Sequence, residues 1–204
     1  MDALGDGITD SLRERIQFLE QPESYPDLPS TVQIIQTHTS VVALAGSRAY
    51  KMKKPVNYEF LDFSTLAKRK YYCIKEIELN SRLCPDIYLG ILPICHNNEG
   101  LYFSDNVLDP DSLSDTMESV PGDSIVEYVV MMKRLPDEYF LSHKVVHDNL
   151  KEQDLQRTAQ KLVDFYQSQS ASEDILKWGH IEIIQQNIRE NFDQTQPYVG
   201  SLIR

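Results

Sequence analysis

The sequence predicts an α+β chain: an antiparallel, β-rich half carrying one long helix, followed by a helical half. Three observations carry that expectation. β-branched segments cluster before residue 135, and the most apolar of them has a near-continuous run from 126 to 132, which suits a strand covered on both faces. One long helical pattern interrupts these segments between residues 65 and 83. Beyond Pro136 the apolar steps become three and four residues, as in Leu155, Ala159, Leu162 and Tyr166 and again in Ile181, Ile184, Ile188 and Phe192. That is the period of helices.

In chain order, residues 10–20 read as an amphipathic helix. Ser11 and Glu14 have capping-box spacing, and Leu12, Ile16 and Leu19 form its apolar stripe. Pro22, Pro26 and Pro29 stop it and set an extended linker, so residues 1–30 form a helix-plus-linker segment. Residues 32–37 and 41–45 are expected to pair as strands across the turn Thr37-His38-Thr39-Ser40. Gly46 then turns the chain into a lysine-bearing strand. There Ala49, Lys51 and Lys53 point one way, and Tyr50, Met52 and Lys54 the other. Ser64 or Thr65 caps the long helix, and Pro85 ends it near Leu83. Residues 87–94 and 101–103 form strands about a turn at 96–100. Residues 104–124, rich in Asp, Ser and Pro, read as a mobile acidic loop. Residues 31–135 therefore form a β-rich lobe, and residues 136–204 begin a helical one.

Composition narrows the function classes. At 204 residues with 41% hydrophobic residues the chain can bury a sizeable core, and no apolar run is long enough to span a membrane. The start, M-D-A-L-G-D-G-I-T-D, is acidic and unlike a signal peptide, so a cytoplasmic location is expected. A net charge of −11 argues against general nucleic-acid binding. The charge is uneven, however. Residues 48–75 hold eight of the twenty Lys and Arg against two acids, whereas residues 83–132 hold nine acids and no Lys or Arg. The first stretch suits a phosphorylated ligand, and the acidic 104–124 loop suits a protein partner. Cys73, Cys84 and Cys95 suggest reduced thiols rather than a disulfide framework.

One charge on the long helix is out of place. Tyr72, Leu79 and Leu83 make an apolar stripe, and Glu76 lies in line with them. A carboxylate facing a core without a partner costs several kcal/mol, so Glu76 needs a cation. Lys51 on the preceding strand is the expected one, with Lys53 the alternative on the same face. Glu78 lies on the wet face, where Lys75 and Arg82 can pair with it. A basic strand that discourages edge-to-edge pairing is the plainer reading of these lysines.

The stretches T-H-T-S-V-V-A-L-A-G-S-R-A-Y-K-M-K-K-P-V, F-L-D-F-S-T-L, E-I-E-L-N-S-R-L-C-P-D-I-Y-L-G-I-L-P-I, V-E-Y-V-V-M-M-K-R-L-P and I-R-E-N-F-D-Q-T-Q-P-Y resemble the bacterial aminoglycoside-phosphotransferase-like family. They are most similar to the branch often fused to a C-terminal P-loop ATP-binding domain. The resemblance spans roughly residues 10–200. It implies a protein-kinase-like fold, ATP as phosphoryl donor with magnesium in a complete protein, and a small hydroxylated acceptor. On the matching positions it places Ala49 against adenine, Lys51 on the phosphates, and Glu76 on Lys51. It places Thr39 and Ser40 in the turn over the phosphates, and Met132, Lys133 and Leu135 in the hinge that meets the adenine edge.

The departures bear on mechanism. Arg48 stands where the family often has valine, and the phosphate turn has no glycine. Neither H-G-D-x-x-x-x-N, nor the acidic motif that follows it, nor a P-loop occurs in these residues. His147-Asp148-Asn149 and Asp62-Phe63-Ser64 imitate catalytic motifs at the wrong places and are expected to be surface or capping residues. His143 and His147, one turn apart, lack a third metal ligand. The apolar Leu202-Ile203 ending suggests part of a longer protein. The expectation is thus the nucleotide-positioning part of such a kinase, inactive alone. The alternative is a non-catalytic kinase-like module that binds a protein partner.

Overall fold

A computed structural model describes residues 10–58, 60–108 and 124–200. The chain divides into two units between Leu150 and Lys151. The first unit contains α1 (Asp10–Glu20), β1 (Val32–Gln36), β2 (Ser40–Ala45), β3 (Arg48–Lys53), β4 (Asn57–Tyr58), β5 (Leu61–Asp62), α2 (Leu66–Ser81), β6 (Tyr88–Asn97), β7 (Gly100–Phe103), β8 (Ser124–Lys133) and α3 (Leu141–Val146). The second contains α4 (Glu152–Ser168), α5 (Glu173–Leu176) and α6 (Ile181–Thr195). The α+β expectation holds: the first unit is built on a six-stranded sheet in the order β1-β2-β3-β8-β6-β7, with every pairing antiparallel.

β8 sits between β3 and β6 because it is the strand apolar enough to be covered on both sides. Its residues from Glu127 to Met131 are all buried. Alternation along the strand divides them. Val129 and Met131 join Leu12, Ile16, Phe18 and Leu19 of α1 in one cluster. Tyr128 and Val130 join Cys73 and Ile77 of α2 in the other. The sheet therefore carries α1 on one face and α2 on the opposite face. On the α1 face, the rings of Tyr25, Tyr50 and Phe103 pack with centres within 5.5 Å of one another, Tyr50 stacked on Phe103 and Tyr25 tilted against both, and the Tyr25 hydroxyl donates to the Leu19 carbonyl at 2.6 Å.

Two corrections concern α2. It ends at Ser81, two residues earlier than Pro85 suggested. Its buried line is Arg69, Cys73 and Ile77, whereas Leu79 is 48% exposed and Tyr72 and Leu83 are only partly covered. Steps of four from Arg69 keep these residues on one side, and the expected Tyr72–Leu79–Leu83 stripe is rotated toward solvent. Thr65 is the cap: its hydroxyl accepts from the Lys68 amide at 3.2 Å.

β6 runs through Asn97, so the turn before β7 is shorter than expected. Of the expected acidic loop, residues 109–123 lie outside the described residues. At its near end Leu108 exchanges two backbone hydrogen bonds with Ile91, at 2.8 and 3.0 Å. That approach requires glycine at position 90. Gly90 has φ +137°, and a Cβ there would lie 2.6 Å from Val107 Cγ1 and 2.9 Å from the Leu108 carbonyl oxygen. Gly90→Ala is expected to cost about 1–3 kcal/mol through strain and overpacking. Urea denaturation of the variant beside the native chain measures the loss.

In the second unit α4 and α6 carry the expected stripes, with Leu155, Leu162 and Tyr166 on one and Ile181, Ile184, Ile188 and Phe192 on the other, all exposed. Among the described residues no helix is long and apolar enough to cross a membrane.

Candidate functional site

The candidate site lies on the α2 face of the sheet. Alternation in β3 puts Ala49, Lys51 and Lys53 on that face, while Tyr50 and Met52 enter the α1-side cluster. Glu76 projects from α2, adjacent to the buried Cys73–Ile77 line. Lys51 Nζ donates to Glu76 Oε1 at 2.8 Å, and Lys53 Nζ donates to Oε2 at 2.6 Å. The sequence reading asked for one cation and named two candidates; both lysines contact the carboxylate, one on each oxygen.

The two lysines are not equivalent. The side chain of Lys53 is 6% exposed and that of Lys51 is 31% exposed. Lys53 also lies over the Phe63 ring, 5.0 Å from its centre, an additional attraction for a desolvated ammonium. Phe63 in turn packs edge-on against Tyr72 at 5.0 Å. Burial pushes the Glu76 carboxyl pKa up, but the Lys53 charge and the hydrogen bonds from both lysines outweigh it, and the net shift is downward. Two ammoniums and one carboxylate leave one positive charge in a half-covered site, and Lys51 is the amine with access to solvent. Such a site fits an anionic ligand oxygen.

The sign of that shift gives a pH dependence. A carboxylate whose folded pKa is depressed contributes stability that is complete above its unfolded value, about 4.3 for glutamate. The contribution is lost as pH falls through the lowered folded value. The stability gap between the native chain and Glu76→Gln should therefore be full at neutral pH and narrow steadily below about pH 4. Urea midpoints of both proteins from pH 7 to pH 3 measure it.

The remaining sequence-derived positions fall in three places. Ala49 is buried and lies opposite Met132 of β8, which also faces Tyr88 of β6. Ser40 is the cross-strand partner of Lys53 and so shares its face. Thr39 lies in the turn before it, where the Thr37 hydroxyl accepts from the amides of both Thr39, at 3.4 Å, and Ser40, at 3.0 Å. The Thr39 and Ser40 amides are thus engaged within the turn, and Lys54 Nζ closes it further by donating to the Thr37 carbonyl at 2.7 Å. Lys133 and Leu135, past the end of the buried run, are exposed. The Lys133 amide donates to Ile87 and the Arg134 amide to Ser47, both at 2.9 Å.

No family model matches this chain, and no solved structure matches it. Relatives do exist. Uncharacterized proteins of Mycobacterium bovis and Mycobacterium tuberculosis are each 32% identical to it over 172 residues. The match covers 84% of this chain and 30% of each relative, so the chain spans about a third of the length of these curated relatives.

The imitation motifs behave as local structure. Asp62 accepts from the Ser64 amide at 2.9 Å and hydroxyl at 2.6 Å and pairs with Lys68. The Lys68 and Ser64 hydrogen bonds bring its pKa down to about 2. It shapes the approach to α2. His143 and His147 stack at 3.9 Å, and no group of three metal-ligating residues occurs among the described residues. Arg48, where the resemblance leads one to expect valine, pairs with Asp27 at 3.0 Å.

The largest feature that sequence reasoning missed is Glu127. It is fully buried in the middle of β8. Arg69 Nε donates to its two oxygens at 2.8 and 2.9 Å, and Arg15 Nη1 donates to Oε2 at 3.0 Å. β3 pairs with β8 only as far as Met52 opposite Val129, so Glu127 lies past the end of that ladder. There an arginine from each covering helix reaches it. The signal was available: a lone acid within an apolar run requires a cation for the same reason Glu76 does.

Proposed function

We propose that residues 31–135 are the nucleotide-binding lobe of an aminoglycoside-phosphotransferase-like kinase, with a protein-kinase-like fold. The observation that carries this reading is the contact of Lys51 with Glu76 at 2.8 Å across the sheet–helix floor, beside the small Ala49 and the polarizable Met132. Lys51 holds the phosphates of ATP, Glu76 orients Lys51, and Ala49 with Met132 lines the adenine. Lys133 and Leu135 border that end, and Thr39 and Ser40 cover the phosphates through their hydroxyls. Lys53 keeps Glu76 ionised when Lys51 turns toward a phosphate. In this reading magnesium and the residue that orients the acceptor hydroxyl are supplied by other parts of a complete protein. The acceptor class is a small hydroxylated molecule, and the compartment is the cytoplasm.

A second reading, a non-catalytic kinase-like module that binds a protein partner through residues 104–124, draws support from the Thr37–Ser40 turn, whose amides are already satisfied. Thermal melts with MgATP separate the two. At a hundred times its dissociation constant a bound nucleotide stabilises the native state by about 2.7 kcal/mol. The kinase reading expects a rise in Tm for the native chain and none for Lys51→Ala. No rise in either protein favours the binding module.

A further inference from the structure

Glu76 can hold the site lysines only while α2 keeps its rotation and depth on the sheet. Rotating a helix by about 20° moves a side-chain tip at a radius of about 5–6 Å by about 2 Å, enough to break both lysine contacts. The packing of Cys73 and Ile77 against Tyr128 and Val130 holds the middle of α2 on the sheet, and Arg69 adds a polar attachment one turn before it. Arg69 lies seven residues before Glu76 on α2, about 10 Å along the axis, and its anchor is Glu127 of the central strand β8. The same guanidinium donates from Nη1 to the carbonyls of Phe63, at 3.0 Å, and Ser64, at 3.3 Å. It thereby ties the segment leading into α2 to the sheet. Phe63 is also the ring on which Lys53 lies. The links are contiguous: Glu127 to Arg69, Arg69 to the Phe63 backbone, the Phe63 ring to Lys53, and Lys53 to Glu76.

We infer that Arg69 and Glu127 are positioning residues for the Lys51–Glu76 site, fixing α2 and the Phe63 platform so that the site amines stay aimed at an anionic ligand. This rests on the nucleotide reading above. Arg69 suits the task because a planar guanidinium fork spans a carboxylate and two carbonyls at once. A lysine retains the charge that Glu127 needs but has no fork to span them.

The test compares MgATP and adenosine binding by isothermal titration to the native chain and to Arg69→Lys. Weakening of MgATP by about tenfold, within the range of mutations along such a network, with adenosine changed by less than about twofold, supports the inference. A residue that only stabilises the fold moves both ligands together or neither, and either pattern overturns it. If Arg69→Lys does not fold, the charge-neutral pair R69Q/E127Q is read the same way. Failure of both variants to fold makes the cluster a plain structural core and overturns the inference. If the native chain binds no MgATP, the nucleotide reading itself falls, and the inference with it. If the native chain binds MgATP and the variant binds it equally well, the inference alone falls.

Discussion

Glu127→Ala is expected to lower the unfolding free energy by about 3–5 kcal/mol, the cost of leaving a buried ion without its partner. The Arg69 side chain is 5% exposed and cannot turn to water, whereas that of Arg15 is 15% exposed and closer to the surface. The removed carboxylate also leaves the Tyr128 amide without the acceptor it now has at 3.1 Å. Arg15→Ala should therefore cost much less, about 1 kcal/mol for one lost charge-assisted hydrogen bond near the surface. Urea denaturation followed by circular dichroism in the strand region reads both variants. Equal losses from the two variants would show that burial does not set the cost here.

Lys51→Ala and Lys53→Ala should separate binding from stability. Without Lys51, Glu76 retains the 2.6 Å contact from Lys53, so the fold loses about 1 kcal/mol or less, while the MgATP-dependent rise in Tm disappears. Without Lys53, the carboxylate keeps only its more exposed partner, and the Phe63 ring loses the side chain lying over it. The expected loss is about 2–3 kcal/mol. A paired melt with and without MgATP reads both quantities. If Lys51→Ala keeps the full ligand shift and Lys53→Ala loses it, the two lysines have exchanged the roles given to them here.

Much of the architecture was legible because its signals are local. The helix over residues 10–20, the turn at Thr37–Ser40 and the strand alternation of β3 follow from spacing alone. The burial of β8 followed from its run of apolar residues. Where the reading of α2 failed, the cause was side-chain character. Tyr72, Leu79 and Leu83 look like a core stripe, and Arg69, Cys73 and Ile77 do not, since an arginine breaks the pattern. Arg69 faces inward because Glu127 is there to receive it, and that partner is 58 residues away in sequence. No window of neighbouring residues contains both. Glu127 was overlooked for the matching reason: within the apolar run from Val126 to Met132, it read as an interruption rather than as half of a contact.

The sequence by itself determined the α+β class, the order of the six sheet strands and four longest helices, and the shared face of Ala49, Lys51 and Lys53, because periods of two and 3.6 residues are properties of a single segment. The tertiary structure decided how the charges pair. Two lysines on one strand face remain equal until a helix is laid across them; α2 brings both onto Glu76 and leaves Lys53 buried and Lys51 open. It also decided that a second carboxylate, Glu127 past the end of the β3–β8 ladder, takes an arginine from each helix. Ion pairs act at about 3 Å, and only the packing of distant segments brings groups that close.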